Sequence, residues 1–136
     1  MYFFYIKLIC KIILREKMHT TIKNLIDIQT KIKYELSLIN NRNLPKIIAV
    51  SKTFKVDQIL PLIEHGHLDF GENKVQEAVD KWTEIKEKKP NIQLHMIGGL
   101  QTNKVKSAVK LFDYIHSVDS QKLAKKIADE QIKIDK

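Results

Sequence analysis

Lys52 follows the apolar run Ile47-Ile48-Ala49-Val50 within the polar strand-end cluster Ser51-Lys52-Thr53, and that placement is the strongest chemical signal in the chain. A short, continuously apolar segment reads as a buried strand, so an amine at its end is partly withdrawn from water. Desolvation disfavours the ammonium form; such a lysine loses its proton more readily and becomes a nucleophile towards carbonyl carbon. The bland alternative is a strand-end lysine whose head simply reaches solvent. Three other clusters are polar and small: Gly71-Glu72-Asn73, Gly98-Gly99-Leu100-Gln101-Thr102-Asn103-Lys104, and Ser117-Val118-Asp119-Ser120. Glu72 and Asp119 could act as acid–base carboxylates, although orienting loops and lysines suits them better. Asn73, with Gln76 three residues on, also has the makings of a helix cap pair. Lys104 either draws anions towards a site mouth or is a solvated first-turn lysine. Gly98-Gly99 lacks the spacing of a dinucleotide or P-loop fingerprint.

Strand and helix must alternate to place these clusters. From Thr20 or Thr21, either able to cap a helix, apolar residues recur at Ile22, Leu25, Ile28, Ile32, Leu36 and Ile39, which predicts one amphipathic helix ending near Asn40-Asn41. After Pro45 the Ile47–Val50 strand leads to a helix through Val56, Ile59, Leu60 and Ile63, with Pro61 inside it and Gly66 stopping it. Leu68–Gly71 is the second strand, followed by a helix with the stripe Val75, Ala78, Val79, Trp82 and Ile85, broken at Lys88-Lys89-Pro90-Asn91. Leu94–Ile97 and Tyr114–Val118 are the third and fourth strands. Their helices carry Val105, Ala108, Val109 and Phe112, then Leu123, Ala124, Ile127 and Ala128, with Ser120 as a cap for the last. His95 and His116 fall mid-strand in adjacent strands, and alternation aims both at one face. Without a third ligand they read as packed or hydrogen-bonded histidines, and no metal site is assigned. His65 and His67 flank a turn and carry no stronger case.

Four strand–helix units after a leading helix require a parallel sheet with right-handed crossovers. An open doubly wound sheet and a section of an eight-stranded barrel both satisfy the pattern. Each gathers chemistry at the carboxyl ends of the strands, where the four polar clusters fall.

The 136 residues, 43% of them hydrophobic, allow one modest core. The net charge of +8 comes from lysines spread along every segment, which reads as a solvated surface rather than a nucleic-acid footprint. The single cysteine, Cys10, excludes an internal disulfide and points to a reducing, cytoplasmic setting. Residues 1–17 resemble a hydrophobic leader, but Lys7 and Lys11 interrupt the run and it is shorter than the roughly 20 residues a membrane span needs. Translation from Met18 would make them an extension outside the fold; a surface anchor or a genuine signal is the other reading. The folded domain is accordingly placed at residues 18–136.

Four motifs carry a resemblance to a known family: Val50-Ser51-Lys52-Thr53; Asp69-Phe70-Gly71-Glu72-Asn73 with Val75-Gln76-Glu77; His95-Met96-Ile97-Gly98 leading into Leu100-Gln101-Thr102-Asn103-Lys104; and Ile115-His116-Ser117-Val118-Asp119. In order and spacing they resemble the pyridoxal-phosphate homeostasis family. The resemblance implies a barrel like the amino-terminal domain of alanine racemase, an α/β fold seen here as a partial (β/α)8 barrel. It further implies pyridoxal 5′-phosphate as cofactor, Lys52 as the lysine joined to it as a Schiff base, and Asn73 as a neighbour of the cofactor. Two departures stand out: Gly99 where the family often has histidine, and Lys74 where it often has tyrosine.

The implied role is a non-catalytic carrier in vitamin B6 homeostasis; a racemase-like enzyme fragment is the alternative, separable by α-proton exchange. The match corresponds to the amino-terminal half of the family's barrel, without the later strands whose loops hold the cofactor phosphate. A truncated, impaired copy is therefore expected, with open edges at the first and fourth strands leading to aggregation, self-pairing or degradation unless a complementary chain supplies the other half.

Overall fold

The computed structural model describes residues 18–134, so the extension read at residues 1–17 lies outside the described residues. The chain divides into two compact units, one ending at Pro45 and the other beginning at Lys46. In the first, α1 (Thr20–Leu38) is the expected amphipathic helix. Its cap is His19 rather than Thr20 or Thr21: the imidazole Nδ1 accepts the Thr21 N–H at 3.3 Å, because the helix begins one residue earlier than a threonine cap requires. It ends where expected, with Asn40 in the left-handed conformation at φ 52° that asparagine tolerates.

The second unit runs β1 (Ala49–Val50), α2 (Val56–Glu64), β2 (Asp69–Glu72), α3 (Val75–Lys88), β3 (Gln93–Met96), a 3-10 turn (Thr102–Lys104), α4 (Val105–Leu111), β4 (Tyr114–Ile115) and α5 (Gln121–Ile134). All strand pairs are parallel and the order across the sheet is β1-β2-β3-β4. That order decides between the two architectures. A doubly wound sheet reverses its strand order at a switch point, whereas consecutive neighbours joined by right-handed crossovers carry every helix to one face. The fold is α/β, a section of a (β/α)8-type barrel.

The core lies between sheet and helices. Phe70 of β2 and Leu94 and Met96 of β3 meet Ala78 and Trp82 of α3, Val105 and Ala108 of α4, and Leu123 of α5. Phe70 and Trp82 pack with ring centroids 4.9 Å apart, at a tilt of 44°. Polar ties fasten the layers: Lys86 of α3 donates to Asp113 Oδ2 at 2.6 Å and to the Leu111 carbonyl at 3.1 Å, and the same Asp113 oxygen accepts the Leu94 N–H at 2.7 Å.

Local chemistry explains the helix ends. Gln58 reaches back to accept the Lys55 N–H at 3.0 Å before α2. After α2, Gly66 adopts φ +92° and the His67 N–H closes on the Leu62 carbonyl at 3.0 Å, a Schellman arrangement. Ser120 caps α5 as expected, its Oγ accepting the Leu123 N–H at 3.3 Å. The edge strands are shorter than the apolar runs suggest, since β1 starts at Ala49 and β4 stops at Ile115. Among the described residues each has a ladder partner on one side only.

Candidate functional site

The sheet register aligns the ends of the strands. Val50 pairs with Gly71, Glu72 with Met96, and Met96 with Ile115, so the segments that follow form one rim. Lys52 and Asn73 each lie two residues beyond the Val50–Gly71 pair, in the segments that leave adjacent strands. Lys52 stands in a turn that the Phe54 N–H closes on the Ser51 carbonyl at 3.0 Å. The expectation that Lys52 is partly desolvated is not met: its side chain is exposed, because the strand ends at Val50 and the turn carries the lysine out of the buried layer.

Beneath this turn lies a buried polar cluster. Glu72, fully buried at the end of β2, uses a single oxygen, Oε1, to accept Ser51 Oγ–H at 2.8 Å, Lys81 Nζ at 2.9 Å and Trp82 Nε1–H at 2.9 Å. Its other oxygen, Oε2, is buried without a hydrogen-bond partner among the described residues. Lys81 also donates to the Ser51 carbonyl at 2.7 Å. Glu72 thus ties loops and lysines together, as its sequence position suggested. Lys81 was not singled out from sequence: it sits beside Trp82 on α3, nine residues beyond its carboxylate partner, and no motif links the two.

Asn73 is half-buried and does not cap α3. The capping residue is Lys74, without a side-chain cap bond, and Gln76 instead donates to Asp80 at 3.1 Å. What holds Asn73 is the loop after β3. A Cβ placed on Gly98 would lie 2.3 Å from the Asn73 carbonyl oxygen and 2.7 Å from its Cα, so the two backbones touch in a way only glycine permits. The Ser117 hydroxyl in turn donates to the Gly98 carbonyl. Asn73, Gly98 and Ser117 are thus joined in succession along the rim. Gly99, Lys104 and Asp119 are exposed.

On the sheet face opposite Phe70, Leu94 and Met96 runs a second polar chain. His95, buried in β3, meets His116 through Nδ1 and Nε2 at 2.9 Å, and its own Nε2 meets Asp69 Oδ1 at 2.9 Å. Asp69 also pairs with Lys46 at 3.1 Å, and Tyr114 stacks on His95 with centroids 4.6 Å apart. The two histidines share a face, as the alternation predicted, and are hydrogen-bonded to each other; Asp69, quoted from sequence only as part of a motif, and Lys46, which sequence left unmarked, complete the chain. Burial works to raise the Asp69 pKa, but the hydrogen bonds and charges of His95 and Lys46 outweigh it and hold the carboxyl below its ordinary range. The hydrogen bond to Asp69 holds Lys46 above its own. Among the described residues no group of three or more His, Cys, Asp or Glu side chains is arranged to bind a metal, and no helix is long and apolar enough to cross a membrane.

No protein-family model matches the chain. Individual relatives do. It is 39% identical over 92 residues to the pyridoxal phosphate homeostasis protein of Vibrio cholerae, a match covering 66% of this chain and 39% of the relative. It is 37% identical over 109 residues to the protein of the same name from Haemophilus influenzae, covering 79% of this chain and 46% of that one. Among solved structures, PipY of Synechococcus elongatus with PLP bound superposes with a TM-score of 0.63 at 36% identity, covering 77% of this chain and 50% of PipY. The chain thus spans half or less of the length of the proteins it matches. Over the matched stretch this chain is similar, in sequence and in fold, to the pyridoxal phosphate homeostasis proteins, across at most about half of their length.

Proposed function

We propose that this chain binds pyridoxal 5′-phosphate at the strand-end rim, with Lys52 as the covalent attachment point and Asn73 as a neighbouring contact, and serves vitamin B6 homeostasis without turning over a substrate. The binding unit is residues 18–136, and the setting is cytoplasmic. One observation carries the reading: an exposed amine stands in a hydrogen-bonded turn at the end of β1, inside a chain whose relatives are named for this cofactor.

The residues present fit such a group. When bound, the cofactor supplies an electrophilic aldehyde. Lys52 would hold that group covalently through its side-chain amine. Exposure leaves Lys52 accessible to so large a reactant. Gly98 keeps the wall beside Asn73 free of a side chain.

The test is to mix the purified chain with pyridoxal phosphate, record the visible absorption band, reduce with borohydride and map the modified peptide. A stoichiometric label on Lys52, absent in Lys52→Ala, supports the proposal. Labelling spread over surface lysines and unchanged in Lys52→Ala overturns it. Exchange of the α-proton from any amino acid by the loaded protein would favour a racemase-like activity instead.

A further inference from the structure

We infer that Lys81 and Glu72 are positioning residues for Lys52, acting through the backbone of Ser51. This rests on the reading of Lys52 as the attachment point.

Ser51 is held at three points. Its N–H donates to the Gly71 carbonyl at 2.9 Å, its hydroxyl donates to Glu72 at 2.8 Å, and its carbonyl accepts from Lys81 at 2.7 Å as well as from Phe54 N–H at 3.0 Å. That carbonyl belongs to the peptide unit leading into Lys52, so the ammonium of Lys81 fixes the plane from which the Lys52 side chain departs. Lys81 is itself held by Glu72, and the pair is withdrawn from water, with side chains 11% and 0% exposed. Trp82 anchors the same carboxylate oxygen from the core. All three side-chain donors to Glu72 converge on Oε1, while Oε2 has no partner among the described residues, so the carboxylate is organised around Ser51 and Lys81 rather than for maximal hydrogen bonding.

A buried ion pair of this kind adds little net stability compared with well-packed apolar residues. Its distinctive contribution here is geometric. Because Lys52 is exposed, its reactivity is not set by burial, and orientation of the turn is what remains for the protein to control.

The test compares Lys81→Met and Lys81→Arg with two controls. Leu123→Val in the core is a destabilising variant away from the turn, and Lys74→Met removes a surface ion pair with Glu77. Two measurements are made on the full chain. Amide hydrogen exchange at Phe54 reports the turn without any cofactor. The rate of borohydride-trapped condensation of Lys52 with pyridoxal phosphate reports the consequence. Lys81→Met is expected to speed Phe54 exchange and slow condensation at Lys52, each by roughly tenfold. Lys81→Arg keeps a cationic donor and is expected to recover most of both, while the controls leave the condensation rate unchanged.

Unchanged Phe54 exchange in Lys81→Met overturns the inference. So does faster exchange with an unaltered condensation rate, or a rate loss that Leu123→Val reproduces. If the unmodified chain shows no condensation at Lys52, the cofactor reading has failed, and positioning of the turn is then judged by Phe54 exchange alone.

Discussion

Two adjacent glycines offer the sharpest test of the rim. Replacing Gly98 with alanine puts a methyl 2.3 Å from the Asn73 carbonyl oxygen and 2.7 Å from Asn73 Cα, where ordinary contacts begin at 3.4 Å. The obstructing atoms are backbone, so the β3 loop and the start of α3 must separate by about an ångström, and overpacking of this kind costs about 1–3 kcal/mol. Replacing Gly99 adds a methyl with nothing within 4 Å. Neither glycine has positive φ among the described residues, so each alanine also restricts the unfolded chain, a stabilisation of roughly 0.4–1 kcal/mol. Gly99→Ala should thus be neutral to slightly stabilising, Gly98→Ala destabilising, with the gap between them equal to the clash itself. Urea unfolding followed by the fluorescence of Trp82, the sole tryptophan and fully buried, measures both. Equal midpoints for the two variants, or a Gly98→Ala protein as stable as the parent, would refute the close approach of Asn73 to the β3 loop.

Other outcomes follow from the same geometry. Glu72→Gln places an amide NH2 where Oε2 has no partner and removes the charge opposite Lys81, so a loss of about 1–3 kcal/mol is expected in urea titrations. Trp82→Ala should cost about 3–5 kcal/mol, through the cavity against Phe70 and the lost bond to Glu72. Lys52→Ala should leave the unfolding midpoint within about 0.5 kcal/mol of the parent while abolishing the trapped cofactor label. Because the folded-state pKa of Asp69 is depressed, its contribution is complete above the ordinary carboxyl value of 3.8 and fades as pH falls through the lower folded value. The stability difference between the parent and Asp69→Asn should therefore be larger at pH 5 than below about pH 4; a difference unchanged at pH 2.5 would contradict the pairing. Lys46 behaves oppositely, its raised pKa making its contribution complete below the ordinary lysine value of 10.5 and lost as pH rises beyond the folded one.

Apolar spacing by itself determined the order of elements from Thr20 onward and the gathering of Lys52, Asn73, Gly98 and Ser117 after successive strands. Those features follow from local periodicity and from the short reach of a parallel unit, both written in neighbouring residues. Strand order was different: alternation suits two sheets, and only the consecutive pairing of β1 to β4 selected a barrel section. Tertiary structure also decided the surroundings of the site. Lys52 proved exposed, Asn73 a backbone neighbour of Gly98 rather than a cap, and Glu72 a buried partner of Ser51, Lys81 and Trp82. Asp69, His95, His116 and Lys46 joined into one chain across strands. Hydrogen bonds between residues 9 to 30 positions apart have no periodic signature, because they depend on how the crossovers stack one unit against the next; side-chain spacing within a unit needs only the pitch of a helix or the pleat of a strand.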